Sequence, residues 1–223
     1  AYLGGHNQES TGTCLILITP DGERTMNTNL GASRLYDATH IPHQEIAASH
    51  VFHFCGYQWD TEDQKSALKN SIKTAHENNT IISFDVADPF VVNRNRDDFI
   101  SLIREEADIV FANKEEARLL FNTTPEDTAR RIAETGSIAV VKLGSDGALI
   151  VKGKEEFRIK PIATKVVDTT AAGDMFAAGF LHGFLSGRDM AICGKIAATL
   201  ASDVISRIGA RVSDEALAAV RKL

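Results

Sequence analysis

From about residue 50 onward, the apolar positions of this chain switch repeatedly between two spacings. Residues 51–55, 80–85, 109–112 and 138–142 are short apolar runs of the buried-strand type. Between them the apolar positions recur at helical spacing. Residues 61–78 place Leu68, Ile72 and Ala75 on one face behind a Thr61 cap, and residues 96–106, 114–121 and 125–135 follow as further helices, with Pro89 expected in a loop. A βαβα succession of this kind predicts a mostly parallel sheet with helices on both faces. Residues 148–151 and 155–160 extend it as strands, the second antiparallel, and helices are predicted over 173–186, 190–208 and 213–222. Ahead of this region the strand-prone runs 13–19 and 24–27 flank Pro20-Asp21-Gly22-Glu23, which is turn chemistry. They predict a β-hairpin after a polar opening loop over residues 1–10, and Asn29 to Ser33 form a small-residue segment suited either to a turn or to close approach of a ligand. With no repeat and no linker, residues 1–223 read as a single α/β domain with a small β element over residues 11–34.

Composition narrows the function classes. Hydrophobic residues make up 43% and charged residues 24%, which suits a globular core, and the net charge of −6 comes without a concentrated basic patch. Arg94, Arg96 and the Arg130-Arg131 pair are the nearest approach to one, so neither nucleic acid nor an anionic membrane is an expected partner. No apolar run reaches about 18 residues and no charged-then-apolar leader opens the chain, so a cytoplasmic location is expected. Cys14, Cys55 and Cys193 are odd in number, widely spaced and set among apolar residues, which predicts packing cysteines in a reducing compartment.

Candidate chemistry gathers where ligands of open α/β sheets bind, in the loops beyond the strand ends at Cys55, Asp85, Ala112, Lys142 and Val167. Asp168-Thr169-Thr170-Ala171-Ala172-Gly173-Asp174 runs from a strand end through small residues into an apolar helix. Backbone N–H groups converging there, at the positive end of the helix, would cradle an anion, and Asp174 would stand ready to accept a proton. The same residues also suit close packing with an Asp cap. Asn113 and Glu116, three apart at a helix start, could order waters around a magnesium ion bound to phosphates, or could form a plain capping box. Lys142-Leu143-Gly144-Ser145-Asp146-Gly147 could present N–H groups to a nucleotide phosphate, with Lys142 or Ser145 adding contacts, or could simply join two strands. It is not a Walker loop, and no early Gly-x-Gly-x-x-Gly points to a dinucleotide.

The three motifs together, in this order and with Phe176 and Gly179 following the last, resemble the ribokinase-like (PfkB) family of carbohydrate and nucleoside kinases. The resemblance implies a three-layer α/β sandwich with a small β element, and the predicted N-terminal β-hairpin could act as a lid or as a clasp between two copies in a homodimer. It also implies transfer of the γ-phosphoryl of ATP to a hydroxymethyl group of a small-molecule sugar or nucleoside. Carried over residue by residue, Asp174 matches the catalytic base, and the backbone N–H groups of Ala172, Gly173 and Asp174 match the anion hole, in a catalytic turn that begins at Ala171. Asn113 and Glu116 match the Asn-x-x-Glu motif linked to Mg2+ and phosphate. Lys142, Gly144, Ser145, Gly147 and Thr170 fall on the nucleotide side. Asp168, Thr170, Gly209 and Ser213 are similar to a potassium site found beside the anion hole in some members. Ala171 stands where many members have Gly.

Thr11-Gly12-Thr13-Cys14, Ile18-Thr19-Pro20-Asp21, Asn29-Leu30-Gly31-Ala32 and Asp88-Pro89-Phe90 are similar to adenosine kinases and their bacterial sugar-kinase relatives. The family's opening strand with its acceptor-binding Asp, and the Gly-Gly-x-x-x-Asn segment after it, have no counterpart here, since Gly4-Gly5 is followed at that spacing by Glu9. The expectation is an N-terminally truncated domain that keeps the phosphoryl-transfer half. The competing expectation is a non-catalytic nucleotide-binding or interaction module derived from the same fold.

Overall fold

In the computed structural model, which describes residues 8–19 and 24–223, the chain first forms an antiparallel ribbon. Strands β1 (Thr11–Ile18) and β2 (Arg24–Gly31) pair with Thr11 opposite Gly31. This is the predicted hairpin, whose turn over residues 20–23 and the opening residues 1–7, with Gly4-Gly5, lie outside the described residues. Asn29 to Gly31 belong to β2, and Ala32–Leu35 follows as one 3-10 turn. Cys14, expected to pack, is exposed together with Leu15, Leu17 and Met26, because a two-stranded ribbon has no second layer against which to bury a face.

After the short helix α1 (His43–Ala47), six strands lie side by side in chain order: β3 (Val51–Cys55), β4 (Ile81–Asp85), β5 (Ile109–Asn113), β6 (Ile138–Lys142), β7 (Ala148–Lys152) and β8 (Glu155–Ile159). The first four are mutually parallel, and β7 and β8 return antiparallel. Helices α2 (Glu62–Glu77), α3 (Pro89–Glu105), α4 (Lys114–Phe121) and α5 (Pro125–Glu134) make the connections. Strand order that always advances in one direction, with crossovers of one hand, puts all four on the same face of the sheet. The other face is covered by α6 (Ala172–Leu185) and α7 (Met190–Val204), with α8 (Asp214–Val220) against α7. Among the described residues, no helix is long and apolar enough to cross a membrane.

Side-chain parity divides the core between these faces. Val110, Ala112, Ala139, Val141, Leu149 and Val151 pack with the crossover helices. Their neighbours Ile109, Phe111, Ile138, Val140, Ala148 and Ile150 pack with Phe176, Phe180 and Cys193 of α6 and α7. Because side chains alternate strictly along a strand, the last residues of β4, β5 and β6 have their direction fixed. Asp85 follows Phe84, which faces the crossover helices, while Asn113 and Lys142 continue the rows of Phe111 and Val140. All three therefore project toward α6.

Two predicted boundaries shift. Pro89 is not in a loop but opens α3, behind an Asp88 cap that accepts from Phe90 N at 2.7 Å. Proline is favoured there because the first helical N–H has no partner to lose. The helix kinks at Asn95, whose φ of −126° is non-helical, and that break obscures the first turns in the sequence period. Helix α7 stops at Val204, short of residue 208, where Asp203 turns its carboxylate to the N–H and hydroxyl of Ser213.

Candidate active site

The strand ends place an ion pair under the sheet's carboxyl edge. Lys142 Nζ lies 2.9 Å from Asp85 Oδ2, with the two side chains only 16% and 10% exposed. Burial pulls the Lys142 ammonium down, but the charges of Asp85 and Glu116 outweigh it and hold the lysine above its ordinary range. Lys142 is thus a charged group at the edge of the core, anchored on a carboxylate 57 residues away in sequence.

Glu116 is buried beside them, at 1% exposure. Asn113 caps α4 by accepting from Glu115 N at 2.9 Å and Glu116 N at 3.0 Å, while its own N–H donates to Glu116 Oε2 at 2.7 Å and its amide to Glu116 Oε1. The capping box is therefore present, and it is also what aims the Glu116 carboxyl into the site. Burial pushes this carboxyl up to about 7, against the pull of Lys142 and with the repulsion of Asp85. A carboxyl whose folded value lies above its unfolded value takes up a proton on folding, so its stabilisation is complete below about 4.5 and is lost as pH rises through about 7. In metal-free buffer, wild-type thermal stability should fall between about pH 5 and 7.5 relative to Glu116→Gln, whose carboxamide mimics the protonated acid. Parallel midpoint curves for the two proteins would show that Glu116 ionises without cost.

Helix α6 enters from above. Asp168, 2% exposed, accepts from Thr170 N at 2.9 Å and from Gly209 N at 3.1 Å, so its carboxylate ties the turn to the segment after α7. Ala171 then caps the helix with φ at +62°, a left-handed conformation that costs a residue with a Cβ about 1 kcal/mol. The Ala172 N–H is turned back to Thr169 O at 3.3 Å, and Met175 N bonds Ala171 O at 2.9 Å. Among the described residues, no backbone carbonyl accepts the N–H groups of Gly173 or Asp174. The cradle thus narrows from the three expected donors to two, at the positive end of a 14-residue helix. Asp174 is exposed in the first turn.

Lys142 closes the underside of this cradle. A Cβ built on Gly173 would come within 3.2 Å of Lys142 Nζ, so the ammonium lies against the first turn of α6. The sequence groups Lys142 with the glycine turn that follows it, and the structure separates the two. Gly144–Asp146 is a 3-10 turn in the connection between β6 and β7, with Gly144 and Ser145 exposed and Leu143 N bonded to Gly147 O at 2.8 Å. The strand-joining role of this turn is thereby seen, and its outer surface is open. At the other edge of the cradle, Thr170 Oγ1 is buried without a hydrogen-bond partner among the described residues, next to Asp168. Ser213 is engaged elsewhere, donating to Asp203 and capping α8 through Ala216 N at 3.1 Å. Among the described residues, no group of three or more His, Cys, Asp or Glu is arranged to hold a metal.

A family model described as "pfkB family carbohydrate kinase" matches residues 2–217. An uncharacterized sugar kinase of Archaeoglobus fulgidus is 33% identical over 204 residues, covering 90% of this chain and 79% of its own length. Among solved structures, a probable sugar kinase from Rhizobium etli superposes with a TM-score of 0.90 at 38% identity, over 95% of this chain and 65% of that one. The adenosine kinase from Sinorhizobium meliloti gives 0.90 at 37% identity, over 95% and 66%. Other curated relatives are spanned over only 39 to 64% of their length.

Proposed function

We infer a function from one premise: this chain belongs to the pfkB family of carbohydrate kinases. On that premise it is an ATP-dependent phosphotransferase that moves the γ-phosphoryl group to a hydroxymethyl group of a sugar or nucleoside. The observation that carries this reading is the exposed Asp174 beside two N–H donors that no carbonyl among the described residues accepts, over the row of buried Asp85 and Glu116 with half-buried Lys142.

In this reading Asp174 accepts the proton of the acceptor hydroxyl while the hydroxyl oxygen bonds the phosphorus and the bond from phosphorus to the departing ADP oxygen breaks. The N–H groups of Gly173 and Asp174 donate to the non-bridging oxygens of the moving phosphoryl group, where preformed dipoles are most effective. The open surface of the Gly144–Gly147 turn, with Ser145, receives the nucleotide. Asn113 and Glu116 would hold Mg2+ through water, and Asp168 with the unpartnered Thr170 hydroxyl would hold K+. Bound there, these cations would supply neutralisation of phosphate charge.

ADP release, measured with the full-length protein over ribose, fructose, adenosine and other nucleosides, in K+ and in Na+, tests the reading. Turnover of at least one acceptor is expected, faster in K+. Folded protein that turns over none of them would overturn it.

A further inference from the structure

The strongest unexplained feature is the Asp85–Lys142 pair. A buried ammonium has no structural need to lie at the positive pole of a helix, where the macrodipole opposes it. Yet Lys142 Nζ is held 2.9 Å from Asp85 and within reach of the backbone of Gly173, on the rim of the two-donor cradle. Its position is set by three independent constraints. Strand parity sends it toward α6, Asn113 lies opposite it in the β5–β6 register, and Asp85 anchors its tip. The absence of a side chain on Gly173 leaves the passage between ammonium and cradle open.

Resting on the kinase reading above, we propose that Lys142 is a catalytic residue whose ammonium bonds the transferring phosphoryl group, with Asp85 as the positioning residue that holds it beside the cradle. The ammonium stays protonated throughout. The bond between phosphorus and the ADP oxygen breaks, the bond between phosphorus and the acceptor oxygen forms, and the acceptor proton goes to Asp174. Lys142 adds a third donor and a full positive charge where two backbone N–H groups alone would face the three oxygens of the moving group. An alternative without function is that Lys142 only neutralises Asp85 and Glu116.

Two non-hydrolysable measurements separate these roles. Affinities for AMPPNP and ADP, each with Mg2+, are compared by calorimetry for wild type, Lys142→Met, Asp85→Asn and the double variant, which removes both charges together and so protects the fold. If Lys142 bonds the γ-phosphoryl, the AMPPNP-to-ADP affinity ratio falls about tenfold in Lys142→Met and in the double variant, as for a charged hydrogen bond. The ratio falls in Asp85→Asn as well, by up to the same factor, because the lysine is kept but loses its anchor. On a turned-over acceptor, kcat falls about a hundredfold in both variants lacking the lysine, with a smaller change in KM for ATP. An unchanged ratio in both variants lacking the lysine, or an unchanged ratio in Asp85→Asn, overturns the proposal while leaving the kinase reading intact. Wild-type protein that binds neither nucleotide overturns both.

Discussion

Replacing Asp174 by Asn is expected to lower phosphoryl transfer about a thousandfold while leaving nucleotide binding within a few-fold of wild type. The substitution preserves shape and removes only the ability to accept a proton, and the two cradle donors are backbone N–H groups that the change does not touch. Asp174 is exposed, so no buried partner is left unsatisfied. Stability should fall by no more than about 1 kcal/mol, the upper end of the usual worth of an acid in the first turn of a helix. Loss of one negative charge beside incoming phosphates would, if anything, favour binding. The measurement is kcat with a turned-over acceptor alongside calorimetric affinity for ADP. Unchanged kcat would remove Asp174 from the role of base, and loss of kcat together with loss of ADP binding would mean that the carboxylate builds the nucleotide site instead.

Much of the cradle is legible in the sequence because it is local. Asp168 to Asp174 occupy one turn and the start of one helix, and the small residues there report the backbone approach directly. The strands over 109–113 and 138–142 are legible for a similar reason, since continuous apolar runs mark burial on both faces. What escapes is non-local or depends on backbone angles. That Lys142 belongs to the cradle rather than to the neighbouring glycine turn follows from the parity row of Ile138 and Val140, but only once α6 is known to cover that face. Its partner Asp85 is 57 residues away. The left-handed Ala171 is not signalled by its residue type, and the bond that takes Ala172 N–H out of the anion hole follows from that turn. Asp88-Pro89 carries a cap and first-turn signal, but the kink at Asn95 breaks the apolar period that would have extended the helix back to it. The capping box at Asn113 shows why two readings of one motif need not compete. The bonds that end the strand and start α4 are the same bonds that orient Glu116.

The glycine turn gives the second large effect, this time on stability. Gly144 and Gly147 both have positive φ, +64° and +88°, so residue type alone does not distinguish them. Their surroundings do. A Cβ on Gly144 meets nothing within 4 Å, whereas one on Gly147 would lie 2.0 Å from the carbonyl oxygen of Ile159. That carbonyl cannot retreat, because Ile159 is paired with Ala148 at the end of the β7–β8 ladder and its side chain is buried in the core under α6 and α7. Gly144→Ala should therefore cost about 1 kcal/mol, the conformational penalty alone. Gly147→Ala adds a backbone collision and should cost about 3–5 kcal/mol. For a domain of this size that corresponds to roughly 2–4 °C against 10 °C or more in the thermal midpoint. The loss should also reach the site, since the turn continues directly from β6 and Lys142 is the last residue of that strand. Equal midpoint shifts in the two variants would mean that the ladder yields at Ile159, and that the turn is set by its φ angles rather than by the contact beneath Gly147.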